Sequence, residues 1–218
     1  MIADRTVYDV GARGLAKQAM LSWCQWTTVA RLNIPGSHLD AVAAYRWLTT
    51  NAASIGGDSK RLALAGESAG GNLALATAVA ARDQGLTSPK SVITVYPVGR
   101  TTINTESYLK YADAKPLNRP MMLGSWPMTK SSADLKDPRL DLVHANLHGL
   151  PPVTLINAEI DPLRDDGAQL EQALRNQGVS VERKLYDGVT HEFFGTAAVV
   201  AKAQEAQAYA GARLKAAF

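Results

Sequence analysis

A serine set among glycines, Gly66-Glu67-Ser68-Ala69-Gly70-Gly71, follows the apolar run Leu62-Ala63-Leu64-Ala65 and opens the alanine-rich segment Asn72 to Ala81. Strand, glycine-bounded turn and helix in that order hold a serine hydroxyl at the top of a sheet. The amide of the following residue, Ala69, then points at the same reaction centre. A hydroxyl is a weak nucleophile until a base takes its proton and a third group orients that base. The chain has four histidines. His38 lies ahead of the elbow, and His144 and His148 fall in an irregular stretch. His191 sits in Gly188-Val189-Thr190-His191-Glu192-Phe193-Phe194-Gly195, directly after the last predicted strand. The carboxyl ends of strands are where an α/β sheet gathers its reactive groups, so His191 is the expected base.

The acid belongs after another strand. Glu159-Ile160-Asp161-Pro162-Leu163-Arg164-Asp165-Asp166 supplies four carboxylates behind Val153 to Ala158. Asp161 precedes a proline, which holds it extended at the strand end before the helix begins. Asp165 and Asp166 fall in the first helical turn, where acids suit the helix dipole. Glu159 stands in reserve. The order Ser68, Asp161, His191 is that of the α/β-hydrolases and differs from the chymotrypsin and subtilisin orders.

The elements that must position these groups alternate. Leu39 to Ala53 reads as a helix with Val42, Tyr45, Leu48 and Ala52 on one face. Arg61 to Ala65 reads as a buried strand, Ala69 to Asp83 as a helix and Ser91 to Tyr96 as a second strand. Residues 99–150 break the rhythm with four prolines and the pair Met121-Met122. We read this stretch as an inserted lid with short helices, since a plain connector of that length is uncommon. Val153 to Ala158 and Val181 to Tyr186 are further strands. Leu163 to Gln177 is a helix closed by Gly178, a loop spans 187–196, and Ala197 to Phe218 is a final helix. Alternating helices and strands predict a mostly parallel sheet with helices on both faces, in one domain.

Composition narrows the function classes. The chain has 218 residues, 46% of them hydrophobic, and a net charge of +3 from 23 basic and 20 acidic residues. The basic residues are scattered, which excludes a nucleic-acid or membrane-surface footprint. A single cysteine, Cys24, precludes an internal disulfide. No apolar run reaches transmembrane length, and Met1-Ile2-Ala3-Asp4-Arg5 is no signal peptide, so a cytoplasmic location is expected.

Several motifs carry a family resemblance: Gly66-Glu67-Ser68-Ala69-Gly70-Gly71-Asn72-Leu73-Ala74, Tyr96-Pro97, Asp161-Pro162-Leu163-Arg164-Asp165 and His191-Glu192-Phe193. Over residues 38–218 the chain resembles the bacterial hormone-sensitive-lipase-like (family IV) carboxylesterases of the α/β-hydrolase fold. The resemblance implies Ser68 as nucleophile, Asp161 as acid and His191 as base. It also implies hydrolysis of short- to medium-chain esters through an acyl-enzyme, a small-molecule ester as partner, and no metal or cofactor. Met121, Met122 and Trp126, in the lid, are plausible pocket walls.

The chain departs from the family at two places. The family's His-Gly-Gly-Gly run, whose amides form most of the oxyanion hole, is absent. Loss of one oxyanion donor costs about a hundred- to a thousandfold in rate, and only the Ala69 amide is left from the elbow. Residues 4–19 resemble the helix that follows that glycine motif, so the chain reads as amino-terminally truncated. Residues 20–36 are atypical. Met20 to Pro35, reverse-translated and read from the third base of each codon, permits the family's strand and its Tyr-Arg-x-Ala-Pro-Glu-His signature. We read this as a single-base loss near Met20, with the frame restored by about His38. In the family's strand order, the nucleophile strand would then have an open edge, which favours self-association. Two rivals to the esterase reading follow: an inactive fragment of such an enzyme, and another acyl hydrolase such as a thioesterase, lactonase or peptidase.

Overall fold

Four strands run parallel in the order β1-β2-β3-β4: Leu64–Glu67, Val92–Val95, Val153–Ile160 and Val181–Thr190. The computed structural model describes residues 9–21, 35–125 and 134–218. The register puts Leu64 beside Val92, Val92 beside Val153, and Val153 beside Val181. Strand β2 is buried at every residue, as a parallel strand covered on both faces must be.

Side chains alternate along these strands between two helical layers. Val92, Val153 and Leu155 join one cluster with Tyr45, Leu75, Ala78, Leu170 and Leu174. Those helical residues come from α2 (Gly36–Asn51), α3 (Ala69–Asp83) and α6 (Arg164–Asn176). Ile93, Val95, Ile156 and Ala158 face the opposite way, onto Leu15, Ala203, Ala206, Ala210 and Leu214. That second layer is α1 (Asp9–Ala19) and α7 (Ala201–Ala217). The predicted α/β sandwich is therefore the observed one.

The boundaries differ in instructive ways. The elbow helix α3 occupies the predicted range. Strand β1 begins at Leu64 instead of Arg61, although Lys90 N still donates to the Leu62 carbonyl at 2.7 Å. Strand β4 runs four residues past the expected end at Tyr186, because the Glu159 carboxylate accepts from the Gly188 amide at 2.7 Å and a register irregularity lets Ile160 pair with Thr190. The last helix starts at Ala201 instead of Ala197, after a 3-10 turn at Phe193–Thr196. Between β2 and β3 lie α4 (Glu106–Lys110), α5 (Arg119–Ser125) and 3-10 turns at Asp134–Lys136 and Leu142–His144. Among the described residues no helix is long and apolar enough to cross a membrane. Most of the atypical segment 20–36 lies outside the described residues.

Helices α1 and α7 approach closely enough that a Cβ on Gly211 would stand 2.5 Å from Gln18 Cβ and 2.9 Å from the Gln18 carbonyl carbon. Helical propensity favours Gly211→Ala by up to about 1 kcal/mol, but overpacking costs about 1–3 kcal/mol. Gly211→Ala is therefore expected to lower the urea midpoint, and an unchanged or higher midpoint would contradict this account of the α1–α7 contact.

Candidate active site

Ser68 ends β1 and caps α3 with φ 55° and ψ −119°, a conformation that L-residues seldom adopt. The surrounding sequence makes the turn feasible. A Cβ on Gly66 would lie 2.1 Å from the Gly70 carbonyl oxygen, so no side chain fits there. The Ser68 amide donates to the Val95 carbonyl at 2.8 Å. The Ser68 carbonyl accepts from the amides of Gly71, Asn72 and Val98 at 3.0, 3.2 and 3.3 Å. A non-glycine residue in such a region costs about 1–3 kcal/mol, which four backbone bonds of about 1 kcal/mol each can offset. The turn thereby projects Oγ off the sheet edge. The Ala69 amide is the first of α3 and has no carbonyl four residues earlier within the helix to bond.

His191 and Asp161 reach the same place from the ends of β4 and β3. His191 Nε2 lies 3.1 Å from Ser68 Oγ, and His191 Nδ1 lies 2.8 Å from Asp161 Oδ2. Both are buried, at 4% and 0% exposure, which shields their contact from water. Asp161 Oδ1 also accepts from the Leu163 amide at 2.9 Å, so both carboxylate oxygens are engaged. An ionised Asp161 accepts from Nδ1–H, leaving the Nε2 lone pair to accept from the Ser68 hydroxyl. Glu192 follows in the left-handed region at φ 68°, turning the chain sharply behind the histidine.

The other three acids are committed elsewhere. Glu159 accepts from Gly188 as noted, away from the imidazole. Asp165 Oδ2 accepts from the Ser107 amide at 2.8 Å, and Asp166 Oδ2 accepts from the Gly99 amide at 3.1 Å. Of the four candidates Asp161 alone meets His191. Among the described residues no group of three or more His, Cys, Asp or Glu side chains could hold a metal ion. The arrangement can move a proton from a hydroxyl to an imidazole braced by a carboxylate, which is the requirement for acyl transfer.

The sequence of residues 30–195 matches a family model described as alpha/beta hydrolase fold. The chain belongs to that family. Its motifs place it in the hormone-sensitive-lipase-like branch of these hydrolases. The chain is 35% identical over 211 residues to the carboxylesterase NlhH of Mycobacterium tuberculosis, covering 94% of this chain and 66% of that protein. It is 32% identical over 175 residues to an ethyl acetate hydrolase of Pseudomonas putida, covering 78% and 55% of the two. An esterase of Pyrobaculum calidifontis superposes with a TM-score of 0.90 at 30% identity, covering 96% of this chain and 70% of that one. The chain thus spans a little under two thirds of the NlhH carboxylesterase's length.

The expected pocket residues part company. Met122 is buried with Val98, Tyr108 and Leu163 beside the elbow and the Asp161 turn. Met121, one residue on, is 41% exposed, and Trp126 lies outside the described residues. Sequence reasoning assigned no role to Glu67 or Tyr96, although both stand inside quoted motifs. Tyr96 Oη donates to Glu67 Oε2 at 2.6 Å, and the Tyr96 ring lies against His191. Burial pushes the Glu67 carboxyl up to about 7, opposed by the Tyr96 hydroxyl, while Glu192 pushes up and His191 pulls down. Burial also holds Asp166 well above the usual carboxylate range, despite the facing amides of Gly99 and Arg100.

Asp166 gives the chain a pH-dependent stability of definite sign. Its folded pKa is raised, so the native state keeps a proton that the unfolded chain sheds above about pH 4. This contribution is present in acid and is lost as pH rises toward the folded value. Asp166→Asn keeps an acceptor for Gly99 and removes the ionisation. Its melting temperature is expected to fall less between pH 5 and pH 8 than that of the wild type. Parallel melting curves for the two proteins would refute the assignment.

Proposed function

We propose that this hydrolase cleaves short- to medium-chain carboxylic esters through an acyl-enzyme. Ser68 attacks the ester carbonyl while His191 takes its proton and then delivers it to the leaving alcohol. Asp161 fixes the Nδ1–H tautomer and stabilises the imidazolium. The Ala69 amide donates to the oxyanion that develops on the carbonyl oxygen. Water, deprotonated by His191, then attacks the acyl group and restores Ser68. The observation that carries this reading is the continuous hydrogen-bonded line from Asp161 through His191 to Ser68 Oγ, with distances of 2.8 and 3.1 Å. Similarity to named carboxylesterases, an ethyl acetate hydrolase and solved esterases favours esters among acyl donors. Met122, in its cluster beside the elbow, is our nearest candidate for an acyl-pocket wall.

The test uses a fluorophosphonate probe and a short-chain nitrophenyl ester. The wild type should label and turn over, Ser68→Ala should do neither, and Asp161→Asn should lose about ten-thousandfold in kcat, as a mis-set tautomer does in other triads. Absence of both signals in the wild type would favour an inactive fragment. Faster turnover of thioesters, lactones or peptides than of esters would move the substrate class.

We further propose that β1 supports association between copies of the chain. Among the described residues it pairs on one side only, with β2, and three of its four residues are half-buried. Such an edge is a template for another strand. Sedimentation velocity should show concentration-dependent species heavier than 23.3 kDa, and a single monomer boundary at every concentration would rule this out.

A further inference from the structure

Glu67 and Tyr96 form a hydrogen-bonded pair at the reacting centre that the acyl-transfer scheme leaves without a task. Glu67 immediately precedes Ser68, so the elbow fixes its backbone. Its Oε2 accepts from Tyr96 Oη at 2.6 Å. The ring of the same tyrosine packs on the His191 imidazole, with centroids 4.4 Å apart and a tilt of 46°. Helix α1 closes the remaining side: a Cβ on Gly11 would come 2.5 Å from Glu67 Oε1. Tyr96 itself is fully buried and held at φ 35° between Val95 and Pro97, its amide donating to the Ile156 carbonyl at 2.6 Å. Backbone strain of this kind persists only where the surroundings over-determine it.

We propose that Glu67 is a positioning residue for the base: through Tyr96 it holds the imidazole face of His191, and its negative charge stabilises the imidazolium formed when Ser68 loses its proton. This inference rests on the reading of His191 as base. The charges facing the pair are His191 and Glu192 from the turn after β4, and Asp161 from the turn after β3, with Tyr96 at the end of β2. Helix α1 presents Gly11 at the contact, while its Asp9 and Arg13 pair with each other. Glu192 Oε1 lies 3.9 Å from His191 Nε2 and opposes ionisation of Glu67, whereas His191 favours it. Asp161 grips the Nδ1 side of the imidazole, and Glu67 supplies a second negative charge nearby.

Two substitutions separate charge from packing. Glu67→Gln removes the charge and keeps an acceptor for Tyr96. An opposite charge within about 4–6 Å favours the charged form of its neighbour, so the His191 titration should fall by about half to one pH unit. The kcat/KM plateau should fall about three- to tenfold, the fold-change equivalent to that shift. Tyr96→Phe keeps the ring on His191 but removes the donor that favours ionised Glu67. Neutral Glu67 lends His191 no charge, so the His191 titration should fall in the same direction as in Glu67→Gln, with activity recovering toward wild type at higher pH where Glu67 ionises. The double variant should behave as Glu67→Gln alone.

The His191 titration, followed by imidazole NMR and assigned with His191→Asn, needs no turnover. If the wild type fails to label or hydrolyse, the esterase reading fails while the NMR comparison still decides this inference. An unmoved His191 titration in Glu67→Gln overturns it. Activity losses that are constant across pH in both single variants also overturn it, since packing alone would produce them.

Discussion

The turn at Ser68 constrains the geometry of the site. Its left-handed φ goes with a close approach in which the Gly70 carbonyl leaves no room for a Cβ on Gly66. The same peptide ties three elements together, donating to β2 through Val95 and accepting from α3 and from Val98 beyond β2. Asn72, one turn into α3, extends this bracing: its amide group donates to the carbonyls of Val98 and Leu140, and its oxygen meets His38 Nε2 at 3.1 Å. Since the two carbonyls use the Asn72 donors, its oxygen accepts, and His38 carries its proton on Nε2. The strained Ser68 is thus held by a buried polar frame in which the asparagine is fully engaged.

Three buried carboxyl groups surround this frame, and their environments give them different work. Asp161 is offered two donors, the Leu163 amide and His191 Nδ1, so both of its oxygens are engaged. Asp166 faces the amides of Gly99 and Arg100, but among the described residues its buried Oδ1 has no hydrogen-bond partner, and burial raises its pKa well above the usual carboxylate range. Glu67 lies between these extremes, desolvated but facing a tyrosine hydroxyl and a histidine. Sequence position does not foretell this division. Asp165 and Asp166 are adjacent in the same first turn of α6, yet helical geometry points one at Ser107 and the other at Gly99.

That contrast marks how far the sequence was legible. The α3 boundaries, the parallel order and the convergence of Ser68, Asp161 and His191 follow from local patterns: a glycine-bounded turn, an Asp-Pro stop, a histidine after the last strand. Each is a short-range signal with a strong steric cause. The extension of β4 to Thr190 was not legible, because it depends on Glu159 reaching across to the Gly188 amide. The Glu67–Tyr96 pair was hidden for the same reason, its partners lying 29 positions apart. Met121 and Met122 look equivalent in sequence, and only the docking of α5 decides that one is covered and the other exposed.

The insertion between β2 and β3 is more than a cover for the site, because it helps hold the acid. Ser107 Oγ donates to the Pro162 carbonyl at 2.6 Å, and the Ser107 amide donates to Asp165 at 2.8 Å. The first contact falls on the turn that begins at Asp161 and the second on the first turn of α6 that follows it. Beside them Tyr108, Val98 and Met122 enclose Leu163, which is fully buried. Burying a leucine or tyrosine of this kind contributes about 1.5–3 kcal/mol, and each hydrogen bond adds about 1 kcal/mol. The sum exceeds what the three-residue turn Asp161-Pro162-Leu163 can secure through its own backbone bond from Arg164 N to Asp161 O. The insertion therefore braces the carboxylate of Asp161 from outside the sheet. A shift of α4 would therefore also move the carboxylate that meets His191.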